Sequence, residues 1–182
     1  MHGCEVRIEA AITRPILKAS VMQQGKDVKE RIIIFPYINS RLIEEKYLRA
    51  RFPLAYRYLS GHKKILLGRD KGQFDAARWY AFGREFGLTT TFGDKLLTSV
   101  MNKKPNFQKC WDPEYTFYSG YCIKPKTKLD IDKLLLTLNS DDMDFYIRHT
   151  SRDYQNGWKS YAKSFIQDYG IPAAMAGRLT AI

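Results

Sequence analysis

The sequence predicts an α+β fold with a basic, strand-rich part over residues 1–128 and a helical part over residues 129–182. Three observations carry that expectation. In the first part apolar residues alternate or form short β-branched runs, the period of a strand. From Asp130 onward they recur at i, i+3, i+4 and i+7, the period of a helix. The charge balance changes at the same place: residues 1–128 hold 24 Lys and Arg against 12 Asp and Glu, and residues 129–182 hold 6 against 7. A chain of 182 residues, 45% hydrophobic and 14% aromatic, can bury the core of one domain and is not composed like a disordered segment.

The elements follow in order. Cys4, Val6 and Ile8 alternate with Glu5, Arg7 and Glu9, as in a half-buried strand, and residues 32–34 form a β-branched run halted by Pro36. Pro53 suits the first position of a helix whose inward stripe would be Leu54, Tyr58, Gly61 and Ile65, leaving Arg57, Lys63, Lys64 and Arg69 outward. Residues 95–101, 106–111 and 116–123 read as three strands, the last bent or bulged at Ser119 and Gly120. Asp130 is placed to cap a helix carrying Ile131, Leu134, Leu135 and Leu138, which Asn139 ends. A shorter helix is predicted over residues 142–149. Trp158, Tyr161, Ala162, Phe165 and Tyr169 then repeat the helical spacing until Gly170 and Pro172 stop it. These helices are expected to pack back on the first part. No internal repeat or low-complexity linker is present, and the tail after Pro172 is expected to fray.

Composition narrows the function. There is no apolar stretch of about 18 residues, so no spanning helix is expected. The start, MHGCEVRIEA, carries charge where a secretory apolar segment would lie, which points to a cytoplasmic chain. Cys4, Cys110 and Cys122 are odd in number, with no CxxC pair and no histidine at ligand spacing, so they read as buried or unreactive thiols. The net charge of +11, concentrated before residue 129, is the footprint of a surface that contacts a polyanion. Solubility, or an acidic protein partner, is the competing explanation.

Nine segments occur in a suggestive order: ITRPILKAS (12–20), IIIFPY (32–37), FPLAYRYL (52–59), LLGR (66–69), RWYAFGRE (78–85), GDKLLTSVMNKKPNF (93–107), YSGYCI (118–123), LLLTLNS (134–140) and YGIP (169–172). Together they resemble the TaqI-like C-terminal specificity domain of N6-adenine DNA methyltransferases and their restriction-modification fusions. The resemblance covers nearly the whole chain. It implies a β-helix-like reading part followed by a C-terminal helical hairpin, a prokaryotic source, and double-stranded DNA as partner.

The chemistry of methyl transfer is absent from these residues. That reaction needs an FxGxG-type cofactor loop and an (N/D)PP(Y/F) motif to hold the flipped adenine, and neither occurs in the chain. The resemblance therefore implies a non-catalytic target-recognition domain with no cofactor of its own. S-adenosylmethionine would belong to a methyltransferase domain upstream in the same parent chain, with Met1 marking a boundary inside a larger enzyme.

In such a division of labour, Lys and Arg hold phosphates while other side chains read base edges. The expected phosphate contacts are Arg57, Lys63, Lys64, Arg69, Lys71, Lys103 and Lys104; the competing reading is ordinary solvent exposure. The expected base-reading residues are Arg78, Tyr80, Arg84, Lys95, Tyr118 and Tyr121, against which Tyr80 and Tyr121 also suit a core or its rim, and Arg84 a local ion pair with Glu85.

An alternative class is a small metal-dependent nuclease or other nucleic-acid-processing enzyme. Glu44 with Lys46, or Asp27 with Lys29, gives half of a nuclease metal motif, without the preceding acidic pair. Asp141, Asp142 and Asp144 lack the glycine and distal glutamate of a calcium loop and better start a helix. His2, His62 and His149 have no Ser or Cys at a recognisable spacing. RNA bound by the aromatic strands is a third possibility and predicts a preference for single strands.

Overall fold

The computed structural model describes residues 5–21, 31–85, 88, 91–124 and 130–171. Helices and strands both contribute, an α+β arrangement, and the strands form small separate sheets. The chain divides into two compact units: Met1–Pro15 with Ile32–Thr90, and Ile16–Arg31 with Thr91–Ile182. None of the three crossings between the units coincides with the change of period and charge near residue 128. Cys4, His2, Asp27, Lys29 and the tail from Pro172 lie outside the described residues.

Unit 1 opens without the expected strand. Residues 5–9 have no regular structure, and β1 (Thr13–Lys18) begins only after a single 3-10 turn at Ala10–Ile12. The alternation there is overridden by a tertiary role for Glu9. Its carboxylate accepts from Leu54 N at 2.8 Å and Ala55 N at 3.0 Å, two of the unpaired donors at the start of a helix. β2 (Arg31–Ile34) stops before Pro36 as read from the sequence. A tight hairpin follows, β3 (Tyr37–Ile38) against β4 (Arg41–Leu42), turned by Asn39 and Ser40 at positive φ, the geometry of a type I′ turn.

Three short helices then run consecutively: α1 (Glu45–Arg51), α2 (Pro53–Gly61) and α3 (Lys63–Leu67). α1 was not expected from the periodicity, because it buries only Leu48. Phe52 breaks it, since the residue before a proline is pushed out of helical geometry, here to φ −131°. The inward stripe of α2 also differs from the expected one. Ala55 is fully buried and Phe52, Tyr56 and Leu59 pack beside it, while Tyr58 is 38% exposed and Ile65 71% exposed. The stripe is shifted because the remote Glu9 cap fixes the start of α2 and His62 breaks the run. Ile12, Ile43, Leu48, Ala55, Trp79 and Tyr80 form the core beneath.

Unit 2 is built on the sheet β7 (Phe107–Lys109), β5 (Leu96–Thr98) and β9 (Tyr121–Ile123), all antiparallel, with β5 central. Alternation along β5 buries both faces. Leu96 joins Phe107, Leu134, Leu138, Met143, Ile147 and Tyr161, whereas Leu97 joins Leu17, Ala19, Cys110 and Tyr115. The end of β1 pairs in parallel with β8 (Thr116–Tyr118), Ile16 opposite Thr116. The expected break between β8 and β9 is present: Ser119 has φ 55°, and a Cβ on Gly120 would lie 2.4 Å from Thr98 O and 2.5 Å from Ala19 Cβ. Only glycine fits so close an approach.

The helices of unit 2 start as read. Asp130 accepts from Asp132 N and Lys133 N to cap α4 (Ile131–Leu138), and Ser140 caps α5 (Asp141–Thr150). Asn139 between them bonds both backbone groups of Phe107, N–H to Oδ1 and Nδ2 to the carbonyl, each at 2.9 Å, so its amide acts as a neighbour for β7.

The long helix expected from Trp158 is not formed. Trp158–Ser160 is a strand, here β11, pairing with β10 (Asp153–Tyr154) on one side and β6 (Met101–Asn102) on the other; only α6 (Lys163–Ile166) is helical. Asn156 and Gly157 at φ 61° and 77° turn the β10–β11 hairpin. That turn signal outweighs an apolar spacing that happens to match a helix.

Candidate nucleic-acid interface

The residues from Glu45 to Leu67 contain six Lys and Arg and one acid. Lys46, Arg49, Arg51, Arg57, Lys63 and Lys64 are all exposed. Helix geometry explains part of this concentration. Glu45 occupies the first turn of α1 and Arg49 and Arg51 its last, each charge facing the favourable end of the helix dipole. Of the six, Lys46 is in an ion pair, with Glu44 at 2.9 Å; the other five have none among the described residues. Aromatic rings organise two of them. The Lys63 ammonium lies 4.8 Å from the Trp79 ring centroid and the Arg49 guanidinium 6.0 Å from that of Tyr56. Glu45, Lys46, Arg49, Ala50 and Tyr56 line an open hollow of about 590 Å³ between α1 and α2.

The expected phosphate contacts separate into three groups. Arg57, Lys63 and Lys64 belong to this helical run. Lys71 is exposed in unit 1 on a loop where Asp70, Lys71 and Gly72 have φ of 49°, 59° and 83°, and Lys103 and Lys104 are exposed in unit 2. Arg69 is a correction. Its three nitrogens donate to Leu66 O, Ala81 O and Trp79 O at 2.6 to 2.8 Å, and its guanidinium stacks 3.9 Å from the Phe74 centroid. It ties the end of α3 to the Trp79–Ala81 backbone and has no nitrogen left unengaged. The cations that periodicity missed are Arg49 and Arg51, on the unforeseen α1. Its acid-first, base-last order, EEKYLRAR, is the signal that marks it.

The base-reading set fares unevenly. Lys95 is fully buried, with Nζ donating to Gly93 O at 3.0 Å and Pro113 O at 3.1 Å, and Tyr80 is buried with its hydroxyl on Ile43 O at 2.6 Å. Both are scaffold here and present no group to a ligand. Arg78 is paired with Glu85 at 2.5 Å, and Glu85 also accepts from the Tyr37 hydroxyl. The Arg78 hydrogen bond holds the Glu85 carboxyl below its ordinary value. Arg84, read as a possible partner of Glu85, is instead exposed with no ion pair among the described residues; it lines a cavity of about 400 Å³ with Phe74, Arg78, Phe82 and Glu85. In unit 2, the Tyr118 hydroxyl accepts from Arg31 at 2.8 Å, and Tyr121 is half-buried on β9 opposite Thr98.

Other chemistries find little geometry. No group of three or more His, Cys, Asp or Glu among the described residues is placed to share a metal ion. Asp141, Asp142 and Asp144 occupy the first turn of α5, where Asp144 pairs with Arg148 at 2.8 Å. The rings of His62 and His149 each bond a carbonyl one turn back, Tyr58 O and Phe145 O. Burial pushes the thiols of Cys110 and Cys122 up, as expected of unreactive cysteines. Among the described residues no helix is long and apolar enough to cross a membrane.

No protein-family model matches the chain, and no curated protein is significantly similar to it in sequence.

Proposed function

We propose that this chain is a non-catalytic, sequence-specific double-stranded DNA recognition domain of an N6-adenine DNA methyltransferase in a restriction-modification system. The observation that carries the reading is the row of exposed cations on α1 to α3, five of them without a carboxylate partner among the described residues. Surface cations without ion pairs release counterions when they meet phosphates, which supplies orientation and most of the affinity. Arg84 and Arg78, beside their cavity, are the unit 1 side chains that retain access to a base edge. Arg is suited to guanine there, although Arg78 would first have to leave Glu85.

On this reading the strand-rich part is the family's β-helix-like reading module and α4 with α5 its helical hairpin. Methyl transfer and S-adenosylmethionine belong to a partner domain in the parent chain, which extracts the adenine while this one holds the site.

The experiment is binding to a mixed-sequence duplex at two salt concentrations, with magnesium added in a parallel series. With about six phosphate contacts, affinity is expected to fall about a thousandfold between 50 and 200 mM salt, and the duplex should stay intact. Salt-insensitive binding, or none, contradicts the reading. Magnesium-dependent cleavage would move the chain to the nuclease class.

A further inference from the structure

A second surface lies wholly within unit 2 and suits a different form of nucleic acid. β11 is the middle strand of the sheet β10–β11–β6. Tyr154 is the direct cross-strand partner of Trp158 on one side. On the other, Lys159 pairs with Asn102, which brings Lys103 opposite Trp158. The Lys103 ammonium indeed lies 5.8 Å from the Trp158 ring centroid. Tyr154 on β10, Trp158 on β11 and Lys103 just after β6 thus form one row, with Tyr154 46% and Trp158 39% exposed.

The surroundings of this row are cationic. Lys103, Lys104 and Arg152 are exposed and have no ion-pair partner among the described residues. The nearby acid, Asp153, is held at 2.5 Å by Lys159, whose buried side chain also donates to Arg148 O at 2.9 Å on the opposite face. Two exposed aromatic side chains at paired cross-strand positions offer flat apolar surface, and three cations without ion pairs among the described residues lie near them in sequence and register. An apolar peptide would meet the rings and strand the charges; a nucleotide supplies a π-face and a phosphate together.

We propose that the Tyr154–Trp158–Lys103 row is a stacking platform for an unpaired nucleobase, with Lys103, Lys104 and Arg152 taking the adjoining phosphates. It shares Lys103 and Lys104 with the phosphate contacts expected from the sequence, but its aromatic residues lie apart from α1 to α3 and it asks for a single strand.

The test is fluorescence anisotropy of the full chain with a labelled oligothymidylate and with an abasic phosphodiester of equal length. The wild-type protein should bind the oligothymidylate more tightly than the abasic strand. Trp158→Ala should weaken that binding roughly fivefold to a hundredfold, the range of base–aromatic stacking. Tyr154→Ala should weaken it less, and Trp158→Phe should retain most of it. Leu136→Ala, at a 73% exposed apolar residue on α4, should leave it unchanged. Duplex affinity of Trp158→Ala should stay at the wild-type value, which separates this proposal from the one above. No binding of oligothymidylate, equal binding of the abasic strand, or wild-type affinity in both Trp158→Ala and Tyr154→Ala overturns it.

Discussion

The two units dispose their positive charge differently, although each has both engaged and open cations. In unit 2 many cations are engaged by the fold itself: Lys95 and Lys159 are buried on backbone carbonyls, Lys109 holds Asp132 at 2.8 Å, and the Lys124 ammonium bonds Phe92 O. In unit 1 the cations of α1 to α3 stand on the surface, and five of the six lack a carboxylate. The totals differ less than the dispositions, with thirteen Lys and Arg against seven acids in unit 1 and seventeen against twelve in unit 2. A net charge therefore locates no interface until the engaged cations are set aside.

Substitutions that exchange the two kinds of cation sharpen this contrast. The largest effect is expected at Lys95. Lys95→Ala deletes a buried side chain, its stem packing and its two hydrogen bonds to the Gly93 and Pro113 carbonyls, so chemical denaturation should show a loss of about 4 kcal/mol. Arg69→Ala, which breaks three hydrogen bonds and a ring contact, should cost about 3 kcal/mol, and Arg69→Lys should not restore it, because an ammonium cannot span three carbonyls as the planar fork does. Arg51→Ala, at an exposed cation of the same unit with no ion pair among the described residues, should move the denaturation midpoint little.

A smaller effect is expected at Glu9. Burial opposes its ionisation, but the hydrogen bonds from Leu54 and Ala55 and the Arg57 charge hold its carboxyl below the ordinary value. Its stabilising contribution is therefore present above the ordinary glutamate pKa of about 4.3 and lost as pH falls through the lower folded-state value. Glu9→Gln should lower stability at pH 7 by about 1 kcal/mol, the scale of a helix cap, and flatten the acid side of the stability profile. An unchanged profile would mean that Glu9 does not cap α2.

Much of the local structure was legible because local chemistry decides it. Asp130 as a cap, the break at Ser119 and Gly120, and Pro53 at the start of a helix each depend on neighbours in sequence. The misreadings have tertiary causes. Lys95 immediately precedes β5 and Tyr80 lies in a turn, both buried by their neighbours, and Glu9 acts on a helix 45 residues away. In residues 158–169 the apolar spacing matches a helix, but the Asn156–Gly157 turn just before it commits the chain to a hairpin strand.

The segments that carried the family resemblance are largely architectural. Phe35 and Tyr37 pack with Phe82, Arg69 staples backbone, Gly120 permits a close approach, and Asn139 and Ser140 complete a sheet edge and a helix cap. They specify a scaffold more directly than a site. Of the candidate interface, Arg49, Arg51, Lys63 and Lys64 lie outside those segments, whereas Arg57, Arg78 and Arg84 lie within them.

The most direct measurement is the slope of log affinity for duplex DNA against log salt concentration, in the wild-type protein and in the triple variant Arg57→Ala, Lys63→Ala, Lys64→Ala. If these open cations meet phosphates, the slope should become shallower by about three while the protein stays folded, the loss of the Lys63–Trp79 contact and of the Arg57 charge near Glu9 costing stability but not the fold. An identical slope in the two proteins would place duplex binding elsewhere and contradict the account.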